Sequence, residues 1–264
     1  MNADKVRGDF QFLEGPVWVP ARNELLFSDI PASKIYRYKD GKFSVFREPS
    51  NQANGNTLDP QGRLVTCEHE TRRVSRTESD GSVVALATRY GGKRLNSPND
   101  VVCRSDGSVY FSDPPYAVKS EQRELDFQGV FRVSPDGQMV MLAARDFVKP
   151  NGLAFSPDEK ILYIVDTELG HVRAFDVRTD GSITNSRVFC NVERPDGMRV
   201  DVEGNLYVCG MKSVEIFDPA GKKTGEVALP ERPANVAFGE PDRMTIFICA
   251  RTGLYRVRVN VAGA

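Results

Sequence analysis

The sequence predicts an all-β fold, a six-bladed β-propeller with four-stranded blades, and three observations predict it. Apolar residues come in short runs of about 4–6 bounded by Gly, Pro, Asp and Asn, the pattern of strands joined by turns. Helical periodicity is nearly absent. A unit of roughly 40–45 residues recurs, each copy carrying four such runs, which is the measure of a propeller blade rather than of a solenoid repeat.

Taken in order, the units open at Glu14-Gly15-Pro16-Val17-Trp18, Ala53-Asn54-Gly55-Asn56-Thr57-Leu58, Pro98-Asn99-Asp100-Val101-Val102, Pro150-Asn151-Gly152-Leu153-Ala154, Pro195-Asp196-Gly197-Met198 and Pro233-Ala234-Asn235-Val236-Ala237. A short strand follows each opening, then a turn such as Asp59-Pro60-Gln61-Gly62 or Ser156-Pro157-Asp158. A stronger strand comes next, for example Val109-Tyr110-Phe111-Ser112 or Ile161-Leu162-Tyr163-Ile164-Val165. Alternating third strands read Lys34-Ile35-Tyr36-Arg37-Tyr38 and Gly253-Leu254-Tyr255-Arg256-Val257. The longest interval holds the polar insertion at residues 120–126, expected to be a loop rather than a helical turn. The sixth unit is short, with too little chain after Val259 for an outer strand. Residues 8–13 alternate apolar and polar as an edge strand would. They are expected to complete the last blade, so that one domain, 1–264, closes as a ring and leaves no exposed sheet edge.

Composition narrows the function. The net charge is -1, from 35 basic and 36 acidic residues, without a basic block, so neither nucleic acid nor an anionic membrane is expected as a partner. The N-terminal residues lack the apolar core of a signal peptide, and no apolar run has membrane-spanning length, so a cytoplasmic location is expected. The five cysteines (Cys67, Cys103, Cys190, Cys209, Cys249) are scattered and form no Cys-x-x-Cys pair, as expected of buried free thiols. His69 and His171 are the only histidines, which rules out a three-histidine zinc site and a His-Glu-x-x-His motif. There is no Gly-x-Ser-x-Gly elbow for a serine hydrolase and no glycine-rich phosphate loop.

In a propeller the opening turns of the innermost strands converge on one end of the central channel. They bring Glu14, Asn54, Asn99, Asn151, Asp196 and Ala234 (or Asn235) together. Asn and Asp serve as turn formers on backbone grounds alone, but Glu14 does not fit that account. A ring of carboxylate and amide oxygens suits a hard divalent cation. His69, at the end of a strong strand of the second unit, is a candidate substrate contact or a structural histidine. Trp18 reads as a core anchor of the first blade, and His171 as a surface residue.

Together, Glu14-Gly15-Pro16-Val17-Trp18, Asn96-Ser97-Pro98-Asn99-Asp100, Pro150-Asn151-Gly152-Leu153-Ala154-Phe155-Ser156 and Pro195-Asp196-Gly197-Met198 resemble the gluconolactonase, senescence-marker-protein and luciferin-regenerating-enzyme family over essentially the whole chain. The segments Cys67-Glu68-His69-Glu70 and Ser112-Asp113-Pro114-Pro115-Tyr116 are most similar to its bacterial gluconolactonase-like branch. The resemblance implies one catalytic divalent metal in the channel, Ca²⁺ first, with Zn²⁺, Mn²⁺ or Mg²⁺ as alternatives. By position the ligands are Glu14, Asn151 and Asp196, with Asn99 completing the shell or holding substrate. It also implies hydrolysis of sugar-acid lactones, a small-molecule substrate for a monomer or homodimer. Asp196 then acts as base unless a metal-activated water does that work, and Asn99 steadies the reacting oxygen. By their places in the chain, His69 is a candidate substrate contact, and Tyr116 either lines the pocket mouth as a substrate contact or packs at its rim. Two departures bear on specificity. Ser97 stands where sugar-lactone-hydrolysing animal relatives carry Arg, and residues 112–116 replace a Glu-bearing segment. A phosphotriesterase-like reaction at the same site and a non-enzymatic binding propeller are the alternatives.

Overall fold

The computed structural model describes residues 1–264 and is built from six four-stranded antiparallel sheets. In the first five, chain order is spatial order from the channel outward. Blade one runs Leu13–Val19, Glu24–Asp29, Lys34–Lys39, Lys42–Arg47, and blade two Ala53–Leu58, Leu64–Glu68, Arg73–Thr77, Val83–Ala87. Blade three runs Val101–Cys103, Val109–Asp113, Gln128–Val133, Val140–Phe147, and blade four Pro150–Phe155, Ile161–Asp166, His171–Val177, Ile183–Asn191. Blade five is Met198–Val200, Leu206–Cys209, Ser213–Phe217, Lys223–Ala228. In blade six, Pro233–Gly239, Thr245–Ala250 and Gly253–Arg258 are joined by Asp4–Arg7. The second strands, with neighbouring blades on both faces, are the apolar runs of the sequence and are buried along almost their whole length, as in Val109–Asp113. Outer strands such as Lys42–Arg47 are largely exposed. The insertion at 120–126 is a loop containing only a short 3-10 turn, Ser120–Gln122.

The ring closes with the N-terminal strand, but not with the residues the alternation selected. Asp4–Arg7 pairs with Gly253–Arg258, placing Lys5 opposite Tyr255. Residues 8–13 do something else. The chain turns at Asp9, whose φ is 75°, and the amides of Gln11 and Phe12 bond the Asp29 carboxylate. Phe10 enters the seam between blades six and one beside Phe27, Phe247 and Leu254, and Leu13 begins the inner strand of blade one. The alternation therefore reports burial in a seam, which has the same period as an edge strand.

The core is a set of such seams rather than one central mass. Between blades four and five, Tyr163, Val165 and Val172 meet Met198, Leu206 and Val208. Trp18 is a seam residue rather than a blade-one core anchor. It is only half-buried, and its ring stacks on Phe247 of blade six. All five cysteines are free, four of them buried. His171 is half-buried on the third strand of blade four, outside the channel.

Candidate active site

The geometry of the channel mouth begins with a repeated backbone irregularity. In blades one, two, four and six the inner strand slips register at its opening, between Glu14 and Val17, Ala53 and Asn56, Pro150 and Leu153, and Pro233 and Asn235. A bulge bends its strand and re-aims a side chain, and here it accompanies buried Glu14, Asn54, Asn151 and Asn235. The next position is crowded. A Cβ on Gly152 would lie 2.4 Å from the Asp196 carbonyl oxygen, and one on Gly197 would lie 2.1 Å from the Asn235 side chain. Blades three and six carry Asp100 and Asn235 at that position, and these side chains fill space left by Gly55 and Gly197 in the preceding blades. Asn235, not Ala234, is thus the sixth blade's polar contribution.

Five of the residues singled out by the sequence, Glu14, Asn99, Asn151, Asp196 and His69, come together here with Asn54, and Tyr116 stands at the rim. Asn54 Nδ2 donates to Asn99 Oδ1 at 2.7 Å and faces His69 Nε2 at 3.2 Å. Asn99 Nδ2 donates to Asn151 Oδ1 at 2.7 Å. Asn151 Nδ2 reaches Tyr116 OH and Thr167 Oγ1, each at 3.1 Å. Across the channel, Glu14 Oε2 accepts the Gly15 amide at 2.8 Å and Asn235 Nδ2 at 3.1 Å. Tyr116 is the most open of the set, 45% exposed, with Lys149 over its ring. The space beside it, about 430 Å³, is lined by Pro115, Arg123, Val148, Lys149 and Glu168.

Electrostatically the site is starved of cations. Burial, with the nearby Asp196 and Asp100 charges, pushes the Glu14 carboxyl well above its ordinary value. Burial also pushes Asp196 up to about 7, against the opposing pull of Arg232, whose Nη2 stands 3.6 Å from it. Asp100, one layer down, is raised by burial and held back by Arg199. His69 is pushed down to about 4 by burial, so it is neutral and its Nε2 accepts from Asn54.

The donor set fits a divalent cation, which would relieve the repulsion between buried Glu14 and half-buried Asp196. Glu14, Asp196 and the amides are all hard oxygen donors, and Asn54 Oδ1 is buried without a hydrogen-bond partner. No three His, Cys, Asp or Glu side chains converge to hold an ion, so a cation would depend on the amide oxygens of Asn151 and Asn99 as well. Sequence reasoning passed over Asp100, Thr167 and Arg232. Asp100 was detectable as the acid standing where other units have Gly. The other two lie far along the chain from the residues they touch.

The opposite mouth differs in character. It holds a cavity of about 400 Å³ whose lining includes Trp18, Phe155, Phe238, Arg199 and Arg243, and it shares none of the polar ring.

Fold and site together define a six-bladed propeller with a cluster of carboxylate and amide side chains at one mouth of its channel. Residues 12–252 match the family model described as the SMP-30/Gluconolactonase/LRE-like region, and the chain belongs to that family. It is 34% identical to a gluconolactonase of Zymomonas mobilis, over 98% of this chain and 81% of that protein. It is 31% identical to regucalcin of Oryctolagus cuniculus, over 91% of this chain and 84% of the relative. The solved gluconolactonase of Xanthomonas campestris superposes with a TM-score of 0.91 at 35% identity, covering 97% of this chain and 89% of that one. Regucalcin of Agrobacterium tumefaciens, a calcium-binding protein, shares the fold at a TM-score of 0.84 and 17% identity, covering 100% of this chain and 95% of that one. No helix is long and apolar enough to cross a membrane.

Proposed function

We propose that this protein hydrolyses lactones of sugar acids, using a divalent cation, Ca²⁺ in the first instance, held by Glu14, Asn151 and Asp196 with Asn99 beside them. The observation that carries the reading is the pairing of buried Glu14 with half-buried Asp196 beside the amide side chains of Asn151 and Asn99 at one mouth of the channel, in a chain whose relatives include gluconolactonases. When bound, the cation supplies the positive charge that makes an ester carbonyl more electrophilic and a water more acidic.

The chain's own residues supply the rest. Asp196, beside the reacting centre, takes a proton from the attacking water as general base. The water oxygen bonds the lactone acyl carbon, the acyl carbon–ring oxygen bond breaks, and the departing ring oxygen collects a proton, giving the open hydroxy acid. Asn99 donates a side-chain N–H to the carbonyl oxygen as its charge develops. Neutral His69 braces Asn54 rather than acting as an acid. Tyr116 and Lys149 shape the entrance used by a polar ring substrate.

The test is ring-opening of δ- and γ-aldonolactones by the purified protein, before and after chelation, with Ca²⁺, Zn²⁺, Mn²⁺ and Mg²⁺ added back singly. Turnover that chelation removes and one cation restores is the expected outcome. Failure on every lactone overturns the reading in favour of a binding propeller, and turnover insensitive to chelation removes the cation from it.

A further inference from the structure

The amides at the channel mouth form a chain with a direction. Asn54 Nδ2 donates to Asn99 Oδ1, Asn99 Nδ2 to Asn151 Oδ1, and Asn151 Nδ2 to Thr167 Oγ1. Thr167 Oγ1 in turn donates to the backbone carbonyl of Pro195 at 2.8 Å. A backbone carbonyl has no hydrogen to give, and a hydroxyl has only one. The Thr167 hydrogen is therefore committed to Pro195, and toward Asn151 the hydroxyl oxygen can only accept. That forces the NH₂ of Asn151 toward Thr167 and its oxygen toward Asn99. The same logic then sets Asn99 and Asn54 in turn.

The two ends of the chain occupy equivalent places in the fold. Thr167 directly follows the second strand of blade four, Ile161–Asp166, and His69 directly follows that of blade two, Leu64–Glu68. Both are buried, at 4% and 6% exposure, and both offer a lone pair to the Asn of their own blade, Thr167 to Asn151 and His69 to Asn54. Blade three has Pro114 at this place, with no side-chain polar atom. Asn54 and Asn151 thus spend both side-chain hydrogens on the protein, whereas Asn99 spends one on Asn151 and keeps the other.

We infer that Thr167 is a positioning residue that fixes the polarity of this hydrogen-bond chain, so that Asn151 presents its oxygen and Asn99 retains one free N–H at the channel mouth. The inference rests on the proposed lactone hydrolysis for its catalytic meaning, because the free N–H is the one that meets the reacting carbonyl oxygen. It assigns the donor role to blade three for a physical reason, the absence of a competing acceptor at Pro114.

The experiment compares wild type, Thr167→Val and Thr167→Ser. Valine keeps the shape and removes both donor and acceptor, whereas serine keeps the hydroxyl. Thr167→Val is expected to lower kcat about 10–100-fold, the range seen when a partner orienting a ligand is lost, with KM within about threefold and little change in Tm. Its Ca²⁺ affinity, read by calorimetry, falls as well. Thr167→Ser is expected to recover kcat to within about threefold of wild type. A wild-type kcat in the valine variant, or an equal loss in both variants, overturns the inference. If wild type turns over no lactone, the proposed function fails separately. The chain is then decided by NMR of the Asn151 side-chain amide protons, which are slow to exchange in wild type and fast in Thr167→Val if the inference holds. Unchanged protection overturns it.

Discussion

Glu14 and Asp196 are the two carboxylates of the proposed cation site, and they differ in how much protein supports them. Glu14 is met by an amide and by Asn235, while Asp196 has Arg232 at 3.6 Å to oppose the upward push of burial. Glu14→Gln and Asp196→Asn keep shape and remove charge. Each is expected to abolish Ca²⁺ binding by calorimetry and to lower kcat by at least about 100-fold, with the far-ultraviolet dichroism unchanged. In the cation-free protein both changes are expected to raise Tm, since each removes one of two carboxylates that repel each other across a poorly solvated site. A fall in Tm would mean these carboxylates are paired more strongly than their surroundings suggest.

Asp113 makes a cleaner pH probe because it lies outside the polar ring. It accepts the Asn96 amide at 2.7 Å, yet burial pushes it up to about 7. An unfolded Asp ionises near 4, so between about pH 4 and 7 the unfolded chain releases a proton that the native chain keeps. Stability from this residue is therefore lost as pH rises through that window. Asp113→Asn retains an oxygen for the Asn96 amide and cannot ionise. Urea denaturation should show it gaining on wild type from pH 4 to pH 7, by up to about 4 kcal/mol, and staying level above. Parallel pH curves for the two proteins would show that Asp113 is ionised in the native state.

At the scale of the element, blade openings are built from a bulge, a polar side chain and a close approach of backbones. Gly197→Ala would push a methyl group into Asn235, the partner of Glu14. It is expected to cost about 1–3 kcal/mol of stability and to weaken cation binding at the same time, which calorimetry and thermal melts together would separate from a purely local effect. Acids at the ends of second strands repeat too: Asp29 holds the amides of Gln11 and Phe12, Asp113 that of Asn96, and Asp166 those of Val148 and Lys149. Each ties the incoming connection to the blade it enters. The closing strand is the other informative element. Removing residues 1–7 would expose the Gly253–Arg258 edge and its unpaired backbone groups. Tm is expected to drop by more than about 5 °C, with a new tendency to self-associate in light scattering, whereas a variant that melts like wild type would show that the seam at Phe10 closes the ring unaided.

For the whole molecule, the ring brings six chain-distant turns to one axis, and that is what makes a site from residues as far apart as Glu14 and Asn235. A cation bound there is bound only by the native ring, so it stabilises the whole domain: at about 100 times its dissociation constant it adds roughly 2.7 kcal/mol. Melting with increasing Ca²⁺ should therefore shift one cooperative transition upward, and Glu14→Gln should remove the shift. By itself the sequence determined the strand class, the blade count, closure by the N-terminus and the convergence of Glu14, Asn99, Asn151 and Asp196, because period, turn chemistry and repeat length are local properties that survive in one dimension. It misplaced the closing strand, since a seam residue such as Phe10 and an edge-strand residue share the same alternation. Only the tertiary structure decided that Asn235 rather than Ala234 faces the channel, that Arg232 stands by Asp196, and that Thr167 and His69 bracket a chain of amides. Those facts depend on which side chains meet across blades, and hydrogen-bond direction exists only once donor and acceptor share a place.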